Sequence, residues 1–567
     1  MWRAPSASLE ARVLRTRRAA LEQGVWSLDV AAQVLLEGAV TGEPLERAES
    51  ALRLAPDAPA VRMEHARALW LHGASPITAL RAAIAALLVI PRHVEASLWF
   101  GGNALLILAL ALAAGGLFFI GLTAVFVAPP AAHVLGDLIS RDLPGFSRTA
   151  LLATLVLLPW VLGEGLLGLV VALLAVGSVF GSMRQRLALG VAVASVWAGG
   201  WWVPRLAGAT LEAFQRDPVA EAAYSSARGV VMAQDLARLE AADPDDLLAA
   251  RARAMYAKRS GNLAQADAEY RRLLEVLPHD PTIANNAANV RLALGHMGDA
   301  IDLYRQAASE SGSPIVLFNL AQAHGLTFQV DELSRALTRA QELDREAVAR
   351  LSELQRSDNT AFVVDLPLPA SLMWRRILGA AGGEALAAQL RGPLAPGHLA
   401  GKRAAGLALC GVALSGSIVG LGVRARRKCG RCGRLLCPRC EPESGDRDVC
   451  AGCFQLFYKS EDTDRSLRKV RVEVLRKRER SRNRMAWGVA VVVPGAAGLL
   501  ARRPLRGFLA AVLFALAAAC ILLRDGVVAD PLVVGAAGPI GFVGLGTLAA
   551  LAYALVLATS LAARRRA

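Results

Sequence analysis

The sequence predicts a mainly α-helical, polytopic membrane protein that also carries an α-solenoid of helical hairpins and a small cysteine-rich module. Three observations predict this class. The chain of 567 residues is 54% hydrophobic with a mean hydropathy of +0.39, which is too apolar for a soluble globular protein. An internal period of 34 residues runs through Leu247–Asp344. Six of the eight cysteines lie within 25 residues, which is metal spacing rather than a secreted disulfide framework.

Residues 1–95 are helical and soluble in pattern. Helices ending near Pro56 and Pro91, with Gly73 between two of them, predict a helical module of degenerate repeats, similar to those of the period at 247–344. A plain helical hairpin has the same pattern, so both interpretations stay open. The basic residues at the start, such as Arg12 and Arg15, precede no apolar core, and we expect no cleavable signal peptide.

Residues 96–204 form the first predicted transmembrane cluster. A helix crosses the hydrocarbon core with ~20 apolar residues. Ser97–Val127 supplies one such span, and we expect it to end at Pro129-Pro130. Leu187–Val203 supplies another short one.

Between these spans, Ala150–Met183 is apolar except for Glu164 and is too long for one straight span. It is either one tilted helix or a tight pair broken at Gly163-Glu164-Gly165. An acid at mid-bilayer is often functional, whereas an acid in a connecting loop is not. The flanking glycines favour the loop.

Residues 205–365 form a predicted helical domain in which the period lies at 247–344. Small and aromatic residues recur at fixed offsets: Gly261 as Gly295, Ala266 as Ala300, and Tyr270 as Tyr304. A third, degenerate copy at Pro314–Asp344 is slightly out of step. This pattern resembles the tetratricopeptide repeat family, in which stacked helical hairpins bury a continuous core.

The resemblance implies a concave groove, lined by the first helix of each repeat, that binds an extended peptide or a helix of a partner protein. It places five polar residues toward that ligand: Arg251, Lys258, Asn285, Asn289 and Gln322. The alternative is that these side chains face water.

Residues 366–403 form a predicted Pro/Gly-rich linker, and 404–423 form a transmembrane helix between basic flanks. Within this helix, Gly416-x-x-x-Gly420 is a close-packing pattern and weakly indicates dimerisation.

Residues 424–458 are the cysteine-rich module. Cys429 and Cys432, paired with Cys450 and Cys453, have the spacing of a structural Zn²⁺ site, because each CxxC turn points two sulfurs at one ion. The string resembles FYVE-type and related treble-clef fingers. In those fingers the middle pair, here Cys437 and Cys440, shares a second metal with an earlier CxxC, and this chain has no such pair. These two cysteines are therefore alternative ligands or stay free.

Residues 459–484 form a predicted basic linker helix, which either lies on anionic lipid or is simply solvated. No aromatic residues interleave its charges, so we expect no nucleic-acid partner. Residues 485–567 form a C-terminal transmembrane cluster. It begins with the apolar hairpin of Met485–Ala501 and Gly507–Leu523, with a kink at Pro494-Gly495.

Reduced cysteines and dense basic flanks place the cysteine module in the cytoplasm. With three spans in the first cluster, residues 1–95 are cytoplasmic and the repeats are periplasmic. With four, residues 1–95 are periplasmic too, or 404–423 does not cross. The basic turn Arg502–Arg506 fits the three-span version poorly.

No catalytic constellation is visible, and we expect no enzyme. The sequence indicates a scaffold of the bacterial inner membrane that binds a protein partner through its repeats and carries a structural zinc module. The alternatives are a transporter or envelope-assembly component whose spans carry the function, and an enzyme with an unrecognised site in Arg205–Arg403. The oligomeric state stays open.

Overall fold

The computed structural model describes residues 8–38, 42–140, 143–356, 361–379, 383–391, 402–422, 427–429, 432–433, 435–436, 449–457 and 465–566. These residues are mainly helical. The chain divides into two compact bodies. The first body comprises Met1–Gly101, Ala209–Gly382 and Val528–Pro539; the second comprises Gly102–Gly208, Gly383–Val527 and Ile540–Ala567.

The helices before the period are α1 Leu9–Glu22, α2 Asp29–Leu36, α3 Pro44–Leu54, α4 Pro59–Leu71, α5 Pro76–Val89, α6 Val94–Ile139, α7 Gly145–Pro159, α8 Gly165–Phe180, α9 Met183–Trp197, α10 Val203–Leu211, α11 Ala213–Arg216, α12 Pro218–Ala227 and α13 Ala233–Glu240. The period itself forms α14 Leu247–Arg259, α15 Leu263–Val276, α16 Pro281–Ala293, α17 Met297–Glu310, α18 Pro314–Leu326 and α19 Val330–Leu343, followed by α20 Arg345–Arg356. The remaining elements are α21 Ala370–Gly379, α22 Glu384–Arg391, α23 Lys402–Leu421, β1 Arg427–Lys428, β2 Leu435–Leu436, α24 Ala451–Phe457, α25 Arg465–Val492, α26 Ala496–Leu500, α27 Pro504–Leu522 and α28 Ala537–Arg566.

The period is built as three consecutive helical hairpins, α14–α15, α16–α17 and α18–α19. Gly261 and Gly295 turn the chain with φ of +81° and +85°, a conformation that disfavours side chains with a Cβ. Ala266 and Tyr270 pack against the next hairpin in one apolar cluster, and Ala300 and Tyr304 do the same one copy later. The two tyrosines therefore occupy equivalent places in successive hairpins.

The third copy is out of step because its connection is shorter. Four residues, Leu277–Asp280, join the first hairpin to the second, but only Ser311–Ser313 join the second to the third. The left-handed turn position consequently falls on Phe328, with φ of 58°, and its side chain is 90% exposed. One deleted residue accounts for the shift in register, and Phe328 replaces the turn glycine without any change of architecture.

Helix α1 packs onto the hairpins and α20, and α2–α4 pack onto α1 in a cluster of their own. Arg18 in α1 is buried and donates to the carbonyls of Gln355 and Ala361 at 3.2 and 3.3 Å. Lys258 Nζ donates to the Glu22 carbonyl at 2.9 Å. Two segments that share buried contacts lie on the same side of a membrane.

This packing and the three-span version of the first cluster disagree about residues 1–95, which that version separates from the repeats. Three segments of the cluster are long and apolar enough to cross a membrane, and the number of crossings stays a prediction. The connection from α27 to α28 belongs to the same body, since Trp99 Nε1 donates to the Val528 and Ala529 carbonyls at 3.1 and 2.9 Å.

The segment 366–403, predicted as a linker, contains structure in its described part. Residues 361–369 are neither helix nor strand and lead into α21, whose Met373 and Ile377 are buried in an apolar cluster with helices of the first body. Helix α22 follows.

Five helical segments in the described residues are long and apolar enough to cross a membrane: Val94–Ile139, Gly145–Phe180, Met183–Leu211, Pro504–Leu522 and Ala537–Arg564. Helix α23 supplies a shorter apolar stretch, Ala405–Leu421. The protein is accordingly described as a helical membrane protein.

Helix α6 does not end at Pro129-Pro130, as the sequence predicts, but runs 46 residues to Ile139 with both prolines inside it. Apolar helices tolerate proline where neighbouring helices accommodate the altered backbone. The break at Gly163-Glu164-Gly165 is present, with Gly163 at φ +94° between α7 and α8. Glu164 lies in this turn.

In α23, Gly416 and Gly420 lie close to another helix of the second body. A Cβ on Gly416 would lie 2.9 Å from Ser178 Cβ, and one on Gly420 would lie 2.5 Å from the Val179 carbonyl oxygen. Both neighbours belong to α8, so the GxxxG pattern packs one helix of this chain against another.

The stretch Met485–Ala501 is not one continuous span. Helix α25 ends at Val492, and Gly495, with φ of +86°, precedes the five residues of α26. The kink predicted at Pro494-Gly495 is therefore a full helix break.

Candidate functional site

Four cysteines converge on one point within the described residues. The sulfur atoms of Cys429, Cys432, Cys450 and Cys453 all lie within 4.8 Å of one another. Cys432 and Cys450 have a sulfur–sulfur distance of 3.6 Å, too long for a disulfide. Zn–S bonds of about 2.3 Å in a tetrahedron place sulfurs about 3.8 Å apart, so this spacing fits one four-coordinate ion.

Two local structures bring the pairs together. Strands β1 and β2 pair antiparallel, and the turn between them is closed by Gly433, whose N–H donates to the Cys429 carbonyl at 2.9 Å. Gly433 has φ of +76°, which glycine adopts without strain. The second pair stands at the start of α24, where Cys450 N–H donates to Cys429 Sγ at 3.3 Å. Helix N-termini favour thiolates.

The cluster is buried and has apolar walls. Val449 is buried beside it, and Leu475 of α25 packs against it. Burial raises the pKa of both Cys450 and Cys453, and the neighbouring thiols of Cys450 and Cys432 raise that of Cys453 further. Sulfurs held this way become thiolates readily only opposite a cation, and four such donors leave no open position for catalytic water.

Cys437 and Cys440, the middle pair, lie outside the described residues. Their assignment as alternative or free ligands stays a prediction. Cys410 lies on an exposed face of α23, and Cys520 is buried in α27, so neither contributes to the cluster.

The concave side of the hairpins holds a second arrangement. An extended segment of the same chain, Ala361–Pro369, runs along it, and we call this the inner segment. Phe362, Val364 and Asp365 are at most 1% exposed. Phe362 packs edge-on against Phe318 at 6.1 Å between ring centroids.

Two asparagines at equivalent positions of successive hairpins bind the backbone of the inner segment. Asn319 Nδ2 donates to the Val364 carbonyl at 2.7 Å, while its Oδ1 accepts from the Val364 N–H at 2.9 Å. Asn286 repeats the pattern on Leu366, with distances of 2.9 and 2.7 Å. Each asparagine amide therefore forms hydrogen bonds with both main-chain groups of one residue. The two residues bound in this way, Val364 and Leu366, are two positions apart along the segment.

The carboxylate between these two residues is bound separately. Asp365 Oδ1 accepts from Lys258 Nζ at 2.6 Å and from Asn289 Nδ2 at 2.5 Å. Asn289 is oriented by Tyr304, whose hydroxyl donates to its Oδ1. A buried carboxylate is tolerated only when it is paired in this way.

The five residues predicted to face a ligand divide into two groups. Lys258, Asn285 and Asn289 contact the inner segment, Asn285 through the Val364 carbonyl at 3.1 Å. Arg251 instead forms an ion pair with Asp280 at 2.6 Å. Gln322 exchanges hydrogen bonds with Gln355 at 3.2 and 2.8 Å.

Sequence reasoning missed Asn286 and Asn319, which make the most regular contacts. They lie 33 residues apart, so the period of the array offered a signal. It went unseen because the shortened connection before α18 shifts the third copy by one position.

No family model matches the chain, and no curated protein matches it.

Proposed function

We propose that this protein is a membrane-anchored scaffold whose hairpin array, of tetratricopeptide type, binds extended polypeptide, and that a structural Zn²⁺ stabilises its cysteine module. We propose it as a binding protein and not as an enzyme. The observation that carries the proposal is the pair Asn286 and Asn319, which bind an extended backbone through both its N–H and its C=O. Amides that bind main chain accept many sequences, as a scaffold requires.

The zinc assignment rests on the sulfur geometry. A β-hairpin turn and a helix N-terminus each supply two thiolates, the arrangement that a treble-clef-like finger would have. Soft thiolate donors in a tetrahedral set favour Zn²⁺ over the oxygen-seeking Mg²⁺ and Ca²⁺. The ion holds the module together and supplies no chemistry beyond that.

We place the cysteine module in the cytoplasm of a bacterial cell and the hairpin array on the other face of the inner membrane, as a single crossing by α23 requires. Helix α27 supports this sidedness. Its end leads into Val528–Pro539 of the first body, so a single crossing puts its basic start, Arg502–Arg506, on the cytoplasmic face. The positive-inside rule expects that, and the misfit of the three-span version disappears.

The transporter alternative receives no support from the cavity between α6, α27 and α28. This cavity of about 290 Å³ is lined by apolar side chains such as Leu108, Leu516 and Phe542, and Glu164 is not among them.

The scaffold proposal is tested by photo-cross-linking in cells. A photoreactive residue is placed at exposed positions of the array such as Phe328 and Val330, and cross-linked polypeptides are identified by mass spectrometry and reconstituted with purified protein. We expect one or a few reproducible partners. Absence of any cross-linked polypeptide from all exposed positions would refute the scaffold. Reporter fusions within α15–α16 and after α24 test the sidedness.

A further inference from the structure

The inner segment is bound on both of its sides. Toward the hairpins, the backbone groups of Val364 and Leu366 meet asparagine side chains. Toward α1 and the turn that follows it, the Asp365 N–H donates to the Leu21 carbonyl at 3.3 Å, and the Asp365 carbonyl accepts from Trp26 Nε1 at 2.8 Å. An extended chain alternates its backbone groups in this manner.

On the hairpin side, the main-chain contacts come from side chains and not from a neighbouring strand. Three asparagines, Asn285, Asn286 and Asn319, donate their amide groups to main-chain carbonyls of the segment. This is how a groove holds a peptide ligand, because the bonds do not depend on the identity of the bound residues. By themselves, the backbone hydrogen bonds can form with any extended chain that has no proline at the positions of Val364 and Leu366, because proline lacks the N–H.

Selectivity comes from two side chains of the segment, three positions apart. The Phe362 ring fills a space between Phe318 and the guanidinium of Arg18, which lies 5.3 Å from the ring centroid. The Asp365 carboxylate accepts hydrogen bonds from Lys258 and Asn289. Basic and amide donors in a buried site reject uncharged residues there, because the donors would be left unpaired.

The carboxylate is not fully satisfied. Asp365 Oδ2 is buried without a hydrogen-bond partner among the described residues. A buried acceptor left unpaired opposes burial of the carboxylate, so the occupied state of this segment carries an unfavourable contribution.

We infer that the inner segment is an intramolecular ligand occupying the partner's site. The partner is an extended polypeptide with an aromatic residue three positions before an aspartate, as in Phe362-x-x-Asp365. This inference rests on the proposed function and names the chemistry of the ligand. The inner segment is covalently tethered, which gives it an effective concentration in the millimolar range. A partner therefore binds detectably only when the inner segment is displaced or its binding is weakened.

The test uses the full-length protein in detergent or nanodiscs and a fluorescent peptide, Ala-Phe-Val-Val-Asp-Leu-Pro-Leu-Pro, that copies residues 361–369. The variant Asp365→Ala weakens the intramolecular ligand and leaves the groove intact. We expect it to bind the peptide at least 10-fold more tightly than the wild type does. A control peptide with Asn in place of the aspartate should bind at least 10-fold more weakly. A folded Asp365→Ala protein that binds neither peptide would overturn the inference.

A second measurement needs no variant. Amide hydrogen exchange of the wild type should show the Val364 and Leu366 N–H groups opening more readily than the amides of α16 and α18, and more readily still with excess peptide. Exchange of all these amides in one global event would make the segment a permanent part of the core and refute the inference. Cross-links from the outer face of the array would be unaffected by that result, whereas failure of the scaffold proposal would abolish them.

Discussion

The cysteine cluster and the concave face of the hairpins are both sites where several side chains converge on one occupant, but they are assembled over different distances. Cys432 and Cys450, on the two halves of the cluster, are 18 residues apart. Lys258 and Asp365 are 107 residues apart, and Asn285 and Val364 are 79 apart. The cysteine cluster can be predicted from residue spacing, because short loops assemble it. The contacts on the concave face can be identified only from the fold, because they depend on long-range packing.

The two sites also differ in how their occupant contributes to stability. The cysteine module is small and has few apolar neighbours, so we expect its order to depend on the bound ion. The concave face is filled by a covalently attached segment whose contacts extend to α1. Loss of the metal should therefore disturb the cysteine module locally, whereas release of the inner segment breaks contacts both with the hairpins and with the region around α1.

The largest effect is expected from removing the metal. Cys429→Ser should lower bound zinc from one ion per chain to none, because a tetrahedral site with three thiolates loses most of its affinity. The ion contributes on the order of 10 kcal/mol to folding such modules, so proteolysis between α23 and α25 should accelerate. Metal analysis and limited proteolysis of the purified protein measure both.

Cys410→Ser is the matched control, since Cys410 lies in α23 away from the cluster. A wild type without metal, or equal zinc in both variants, would contradict the assignment.

A smaller loss is expected on the concave face. Asn319→Ala leaves the buried N–H and C=O of Val364 with fewer partners, and each unpaired group costs on the order of 1–3 kcal/mol. We expect a clear drop in the melting temperature and faster proteolysis of residues 361–369.

Gln322→Ala is the comparison, because Gln322 contacts only a half-buried glutamine within this region. Equal melting temperatures for the two variants would show that the backbone clamp does not stabilise the first body.

Acid should loosen the attachment of the N-terminal helices. Burial opposes ionisation of Asp29, but the pairing with His93, whose Nε2 lies 3.7 Å from Oδ2, and the charge of Arg228 outweigh it and bring the pKa of Asp29 to about 2. A carboxyl group with a lowered pKa stabilises the fold above its unfolded pKa of about 3.9, and that contribution is lost as pH falls from about 4 to 2. Asp29→Asn should flatten this part of the stability curve, measured by thermal unfolding at several pH values.

Asp57→Asn removes the other carboxylate bonded to Arg228. This variant should reduce the loss of stability at acidic pH less than Asp29→Asn does. An unchanged acid limb in Asp29→Asn would show that this ion pair does not hold α2 in place.

The smallest effects concern the turns. Gly295→Ala places a Cβ on a residue with φ of +85° where no neighbouring atom lies within 4 Å, so only backbone strain of roughly 1–2 kcal/mol is added. Phe328→Gly relieves the same strain in the third copy, offset by about 0.5–1 kcal/mol of added chain entropy. Thermal unfolding should show a loss for the first and a slight gain for the second. A loss for both would mean that the Phe328 side chain has a role that its exposure does not suggest.

The sequence by itself determined the elements that depend on neighbouring residues. Apolar runs predicted the membrane helices, the recurrence of Gly261 and Tyr270 predicted the hairpins, and two CxxC pairs predicted the sulfur cluster. In each case the deciding interactions lie within a few tens of residues, so spacing alone carries the information.

Only the tertiary structure decided which surfaces are already occupied. It put residues 361–369 in the groove, joined α1 to the hairpins, turned the Gly416 face toward α8, and carried α6 through two prolines. These outcomes depend on free-energy differences between alternative long-range packings, each paying the entropy of closing a long loop. No local pattern of residues reports that balance, because the competing partners lie far apart in the chain.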